Sequence, residues 1–194
     1  MATTTIERPS ICGRCGDGPA IYVACLASYN NGDLHGSWIN LEDVPRLNTS
    51  DIEEAISYIL KTSPAPGAEE WAIHDQQHFP AHLQGEFLDL SDIVEYVVNW
   101  QEAEETGDGD AYRAYCNNLG QTVTAEDFRD AYHGKWNHEG DFAEDWFDQT
   151  GQMPEGGLSS YIDWDNVWHG EFRCGGWFSE YAGLGQGVWI FSPN

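Results

Sequence analysis

Positive charge is what this chain has least of. Its 194 residues carry 8 Lys+Arg against 33 Asp+Glu, for a formal net charge of −25. Such a surface repels nucleic-acid phosphates and anionic membranes, so neither is expected as an electrostatic partner. Long hydrophobic runs are missing too. No apolar stretch approaches the ~20 residues that cross a bilayer. Met1–Ser10 has no apolar signal-peptide core, so the expected location is cytoplasmic. Cysteine is scarce: Cys12, Cys15, Cys25, Cys116 and Cys174 are an odd set at irregular spacing, a poor disulfide framework. Cys12-Gly-Arg-Cys15 is a lone C-x-x-C with no second pair to complete a zinc site. It reads either as part of an extension without function or as half of a metal site completed elsewhere.

Catalytic signatures are also lacking. H-E-x-x-H, G-x-S-x-G and Walker A motifs do not occur, so no enzyme and no cofactor are expected. Asp108-Gly-Asp110 and Asp163-Trp-Asp165 begin like EF-hand loops. Tyr112-Arg113 and Val167-Trp168 then stand where an acid or amide and the turn glycine should be. His74, His78 and His82 recur every fourth residue, but Pro80 breaks the helix that would align them as ligands.

What is present excludes disorder. The chain is 13% aromatic and 41% hydrophobic, whereas disordered acidic chains are poor in both. Residues 1–19 read as an N-terminal extension. Ala20–Ser28 reads as a strand, Asn31-Gly32 as a hairpin turn, and Leu34–Asn40 as the returning strand. Ser50 and Glu53 suggest a capping box before Ile52, Ala55, Ile56 and Ile59 at helical spacing. Glu69–Asp75 reads as a third strand. Further helices follow Ser91, run over Asp110–Leu119, start at Thr124, and span about Asp141–Thr150. A short segment, Asp163–His169, follows, and Gly187–Phe191 is a terminal strand. The fold class is α+β. The expected divisions are a small α+β domain at 20–77, a helical domain at 78–120, and an α+β domain at 121–194.

The acid is spread over the whole chain and enriched late. Residues 104–194 alone hold 17 acids and 4 bases. Asp141, Glu144, Asp145 and Asp148 fall at i, i+3, i+4 and i+7, on one face of a helix. Their like-charge i,i+4 pairs each destabilise by a few tenths of a kcal/mol, where Lys or Arg would have stabilised. Glu126 and Asp130 repeat the pattern beside Asp127, and Glu95, Glu102 and Glu105 line an earlier helix. Solubility needs a net charge of only about 2–8, and halophilic adaptation does not explain one-sided stripes. Imitation of nucleic acid does. At one charge per ~1.7 Å of duplex axis, this charge corresponds to roughly 42 Å of DNA, or roughly 85 Å in a dimer. The competing reading from another class is an acidic scaffold that binds some basic protein without blocking DNA.

Several co-linear blocks carry a family resemblance. They are IYVACLASYNNGDLHGSWINL (Ile21–Leu41), SPAPGAEEWAIHD (Ser63–Asp75), DFRDAYHGKW (Asp127–Trp136), DFAEDWFDQTG (Asp141–Gly151), YIDWDNVWHGEF (Tyr161–Phe172) and the final GVWIF. Together they resemble the ArdA antirestriction proteins. The resemblance implies an elongated homodimer of three small domains in a row, with the dimer contact in the last. It implies a DNA mimic that occupies the DNA-binding groove of a type I restriction–modification enzyme, in the methyltransferase core of modification and specificity subunits. The family's antirestriction motif would lie around 141–151. The residues standing for phosphates are then Glu95, Glu102, Glu105, Glu126, Asp127, Asp130, Asp141, Glu144, Asp145 and Asp148. Asp145–Asp148, DWFD, departs from the family pattern by being more aromatic, and Gln149–Pro154 by carrying amides where relatives often have acids.

Overall fold

The computed structural model describes residues 6–154 and 156–193. Elements appear in the order β1 (Cys12–Gly13), β2 (Ala20–Cys25), α1 (Leu26–Asn30), β3 (Gly36–Asn40), α2 (Thr49–Lys61) and β4 (Trp71–Gln77). Then come α3 (Leu90–Glu104), α4 (Gly109–Leu119), α5 (Ala125–Ala131), β5 (Tyr132–Trp136), α6 (Glu139–Gln149), α7 (Trp164–Val167), β6 (Phe178–Tyr181) and β7 (Val188–Phe191). Both sheets are antiparallel, one ordered β1-β3-β2-β4 and the other β5-β7-β6. The mixed α+β class expected from the sequence is the one observed. Among the described residues, no helix is long and apolar enough to cross a membrane.

Two compact units divide the chain, 1–109 with 116–123, and 110–115 with 124–194. In the first, β2 lies inside the sheet between β3 and β4 and is almost wholly buried: Ala20, Ile21, Val23 and Cys25 face no solvent. Helix α2 covers the sheet with Ile52, Ala55, Ile56 and Ile59, the face that helical spacing singled out. Its cap is one turn segment earlier than expected. Asn48, not Ser50, closes the box: its side chain accepts the Ser50 N–H at 2.9 Å, and the Asp51 carboxylate accepts the Asn48 N–H at 3.0 Å. Helix α3 buries Ile93, Tyr96, Val97, Trp100 and Ala103. Gln101 ties it to the loop that follows β3 by donating to the carbonyls of Leu41, Glu42 and Val44 at 2.9–3.2 Å. Its N-cap is Asp89 rather than Ser91.

Two further sequence expectations are corrected. The first strand ends at Cys25 rather than Ser28, and Leu26–Asn30 turns into the short helix α1. The reason is non-local: Ser28 is fully buried, its hydroxyl 2.7 Å from that of Ser63. The expected two-residue hairpin is therefore a longer connection, although β2 and β3 pair as foreseen. Within the segment read as an extension, Cys12–Gly13 pair with Trp38 and Ile39 as an edge strand. The Cys12 thiol is buried and points toward the Ala55 carbonyl.

The second unit is built on aromatic rings. Tyr112 and Tyr115 of α4 pack on Phe128 of α5, and Tyr115 also meets Phe178 and Phe191. A second cluster centres on Phe142, Trp168, Phe172 and Ile190, with Trp136, Trp146, Phe147 and Trp177 packed around it. The aromatic departure at DWFD is thereby explained. Trp146 and Phe147 face inward, and the acids that flank them do not. Gly187, at φ +84°, lets the backbone of β7 approach β5 so closely that any Cβ would collide with the Trp136 carbonyl.

Candidate functional site

Several acids of this chain hold the fold through hydrogen bonds to the backbone. Glu42 accepts the Gly18 N–H and the Asn40 side chain. Glu104 accepts the Gly109 N–H at 3.0 Å and so links α3 to α4. Asp163 caps α7 through the Asn166 N–H at 3.1 Å. Asp89 caps α3, and hydrogen bonds from the Ser91 backbone and then the Ser91 hydroxyl hold its carboxyl below the usual range.

The ten carboxylates singled out by spacing are a different set. Glu95 and Glu102 lie on α3 and Glu105 is its C-cap; all three are exposed. Glu126, Asp127 and Asp130 lie on α5 and are exposed, opposite buried Ala125, Phe128 and Ala131. On α6, Glu144 and Asp148 are exposed, while Asp141 and Asp145 are half-buried. The helix turns Phe142, Ala143, Trp146 and Phe147 into the core, so these four acids are left on the opposite face, while Glu139 in the first turn accepts the Ser179 hydroxyl at 2.8 Å.

The α6 stripe holds the most charges of the three, four against three on α5 and three on α3. Asp141 to Asp148 spans about 10 Å of helix axis, which is one charge per ~2.6 Å against ~1.7 Å for duplex DNA. The α3 set is about half as dense. Local contacts fix several of these groups. Gln149 donates to the Asp145 carboxylate at 2.6 Å, His138 Nδ1 lies 3.3 Å from Asp141, and the Thr124 hydroxyl donates to Asp127 at 2.7 Å. Held charges lose less conformational freedom on binding than free ones. The amide at Gln149 thus orients a neighbouring carboxylate.

The structure distributes these residues over helices in both units rather than gathering them in one pocket. Two open depressions in the first unit are lined by none of the ten. Two further acids extend the stripes. Asp92 is exposed one turn before Glu95 on α3, and its i−3 spacing was available in the sequence. Asp165 of α7 is exposed, and a Cβ on Gly140 in the first turn of α6 would meet its carboxylate. That proximity depends on packing between helices and has no local signal. Among the described residues, no group of three or more His, Cys, Asp or Glu side chains is placed to hold a metal ion. His74 lies on β4, His78 follows it at φ +59°, and His82 lies in a short 3-10 turn, so the three share no helical face.

The surface is therefore a set of acidic helix faces mounted on apolar cores. A family model, that of the antirestriction protein ArdA, matches residues 21–170, well over half of the chain and a span that includes all ten carboxylates. The chain belongs to the ArdA antirestriction family. A comparison with curated proteins finds no match.

Proposed function

We propose that this protein inhibits type I restriction–modification enzymes by competing with DNA, its carboxylates standing where phosphates would lie. The single observation that carries this reading is the α6 stripe. Four acids occupy one helix face with two like-charge i,i+4 pairs, on a helix whose other face packs against the core. That placement costs stability and yields a field close to that of a duplex in charge density. Family membership supplies the class of target, an enzyme of restriction. The finer features belong to the same proposal: the groove of the modification and specificity subunits as the docking site, an elongated homodimer, and domains at 20–77, 78–120 and 121–194. The protein acts by occupancy and needs no catalytic group.

Because phosphate contacts carry no sequence information directly, inhibition should be indifferent to the enzyme's recognition sequence. Each exposed charge contributes modestly, so loss should be graded as acids are neutralised. The test is cleavage by a purified type I enzyme, titrated with this protein at several salt concentrations. Inhibition that weakens steeply with salt supports the proposal. Inhibition unaffected by salt, or abolished by one Asp→Asn change in an intact fold, contradicts it. Sedimentation of the free protein tests the dimer.

A further inference from the structure

We infer that the first unit carries a docking groove for a basic amphipathic segment of a partner protein, floored by Trp71 and Phe87 and rimmed by carboxylates. This goes beyond phosphate mimicry, which requires charge and no apolar anchor. Two open depressions meet at Trp71 and Glu69. Leu60 and Leu90 line one, and Leu26 and Phe87 line the other. Phe87 is 73% exposed. Its exposure is not the chance pose of a loose loop, because the chain is anchored on both sides of it, at Glu86 and at Asp89. The Glu86 carbonyl accepts the Ile73 N–H of β4 at 2.9 Å, and Asp89 caps α3. A ring held in water by fixed flanks forgoes the burial that stabilises other phenylalanines, and it offers that burial to a partner.

The rim decides what kind of partner fits. Glu53, Glu69, Glu70 and Asp89 are exposed around the apolar floor, and among the described residues Lys61 is the one cation lining it. Anionic membranes and nucleic acids are repelled there. A second copy of this chain would bring the same acidic rim against itself. A segment with apolar side chains on one helical face and Lys or Arg beside them satisfies both the floor and the rim. On a DNA-handling enzyme, such a contact would survive salt that weakens the carboxylate stripes.

The test uses the full chain and two synthetic peptides. One is a lysine-rich helical peptide with leucines at i and i+4, and its twin has serines in their place. Calorimetry and amide shifts are recorded at about 0.5 M NaCl, where the Debye length is on the order of 4 Å. The leucine peptide is expected to bind about tenfold tighter than its twin, with shifts at Trp71, Phe87 and Leu90. Phe87→Ser should remove that difference and leave the twin's affinity unchanged. Glu69→Lys with Glu70→Lys should weaken both peptides and leave the fold intact. Equal affinities for the two peptides, or a difference that survives Phe87→Ser, overturns the inference. So does a change in self-association caused by Phe87→Ser in sedimentation, which would make a second copy the occupant.

Discussion

Thr124 and Asp127 hold each other at the start of α5. The Thr124 hydroxyl donates to the Asp127 carboxylate at 2.7 Å, and the Asp127 N–H donates back to the Thr124 hydroxyl oxygen at 3.0 Å. One acid thus both orders a helix terminus and contributes to the charged surface. Thr124→Ala should cost about 1 kcal/mol of stability through the lost cap. It should reduce inhibition only slightly, since the charge stays. Urea denaturation and the cleavage assay read the two effects separately.

On α6, stability and function should move in opposite directions. Glu144→Lys replaces a like-charge pair with Asp148 by an opposite one, and should stabilise the fold by a few tenths of a kcal/mol. It should also weaken inhibition. Neutralising Asp141, Glu144, Asp145 and Asp148 together should weaken it far more than any single change, with the thermal midpoint maintained or raised. A stripe that served only solubility would show no loss of inhibition.

His133 gives the aromatic unit a pH response of its own. Its ring lies 4.6 Å from that of Trp177 and near those of Trp146 and Phe142. Burial there pushes its pKa below the ordinary value of 6.5. The folded state therefore favours the neutral ring. Its contribution is complete above pH 6.5 and is lost as pH falls through the folded value. Acidification also relieves repulsion among the carboxylates, which acts in the opposite sense. The clean reading is a difference: between about pH 7 and pH 5, His133→Phe should lose less stability than the parent chain, or gain more. Thermal melts of both proteins across that range check it.

The stripe on α6 was legible because helix faces repeat locally, and the aromatics between its acids mark the buried side. The paired strands β2 and β3 and the terminal strand were legible for the same reason. The cap of α2 was not, since Asn48–Asp51 and Ser50–Glu53 both fit the capping pattern and only tertiary geometry ranks them. Helix α1 depends on Ser28 meeting Ser63, and the groove on Leu26 meeting Trp71 through the pairing of Cys25 with Trp71. Contacts between residues far apart in sequence leave no spacing to read.

Gly187 tests the second sheet. Gly187→Ala adds a Cβ that meets the Trp136 carbonyl at a backbone φ of +84°, and should cost at least about 2 kcal/mol. Gly185→Ala, at φ +71° with nothing within 4 Å, should cost only the left-handed penalty of about 1–2 kcal/mol. Denaturant midpoints of the pair separate steric collision from backbone preference.

Cys12 should behave as a packing residue. A chelator should leave the thermal midpoint unchanged, while Cys12→Ser should lower stability by about 1 kcal/mol, since the side chain is 6% exposed under α2. A chelator-induced drop would mark a metal site instead.

The central claim is that this protein and DNA cannot occupy a restriction enzyme together. Adding unlabelled duplex DNA to a preformed complex of the protein with a type I methyltransferase core measures this directly. Displacement of the protein by DNA, at a midpoint that rises in proportion to the protein present, is the predicted result. A stable ternary complex of enzyme, DNA and this protein would contradict it and make the chain an acidic scaffold.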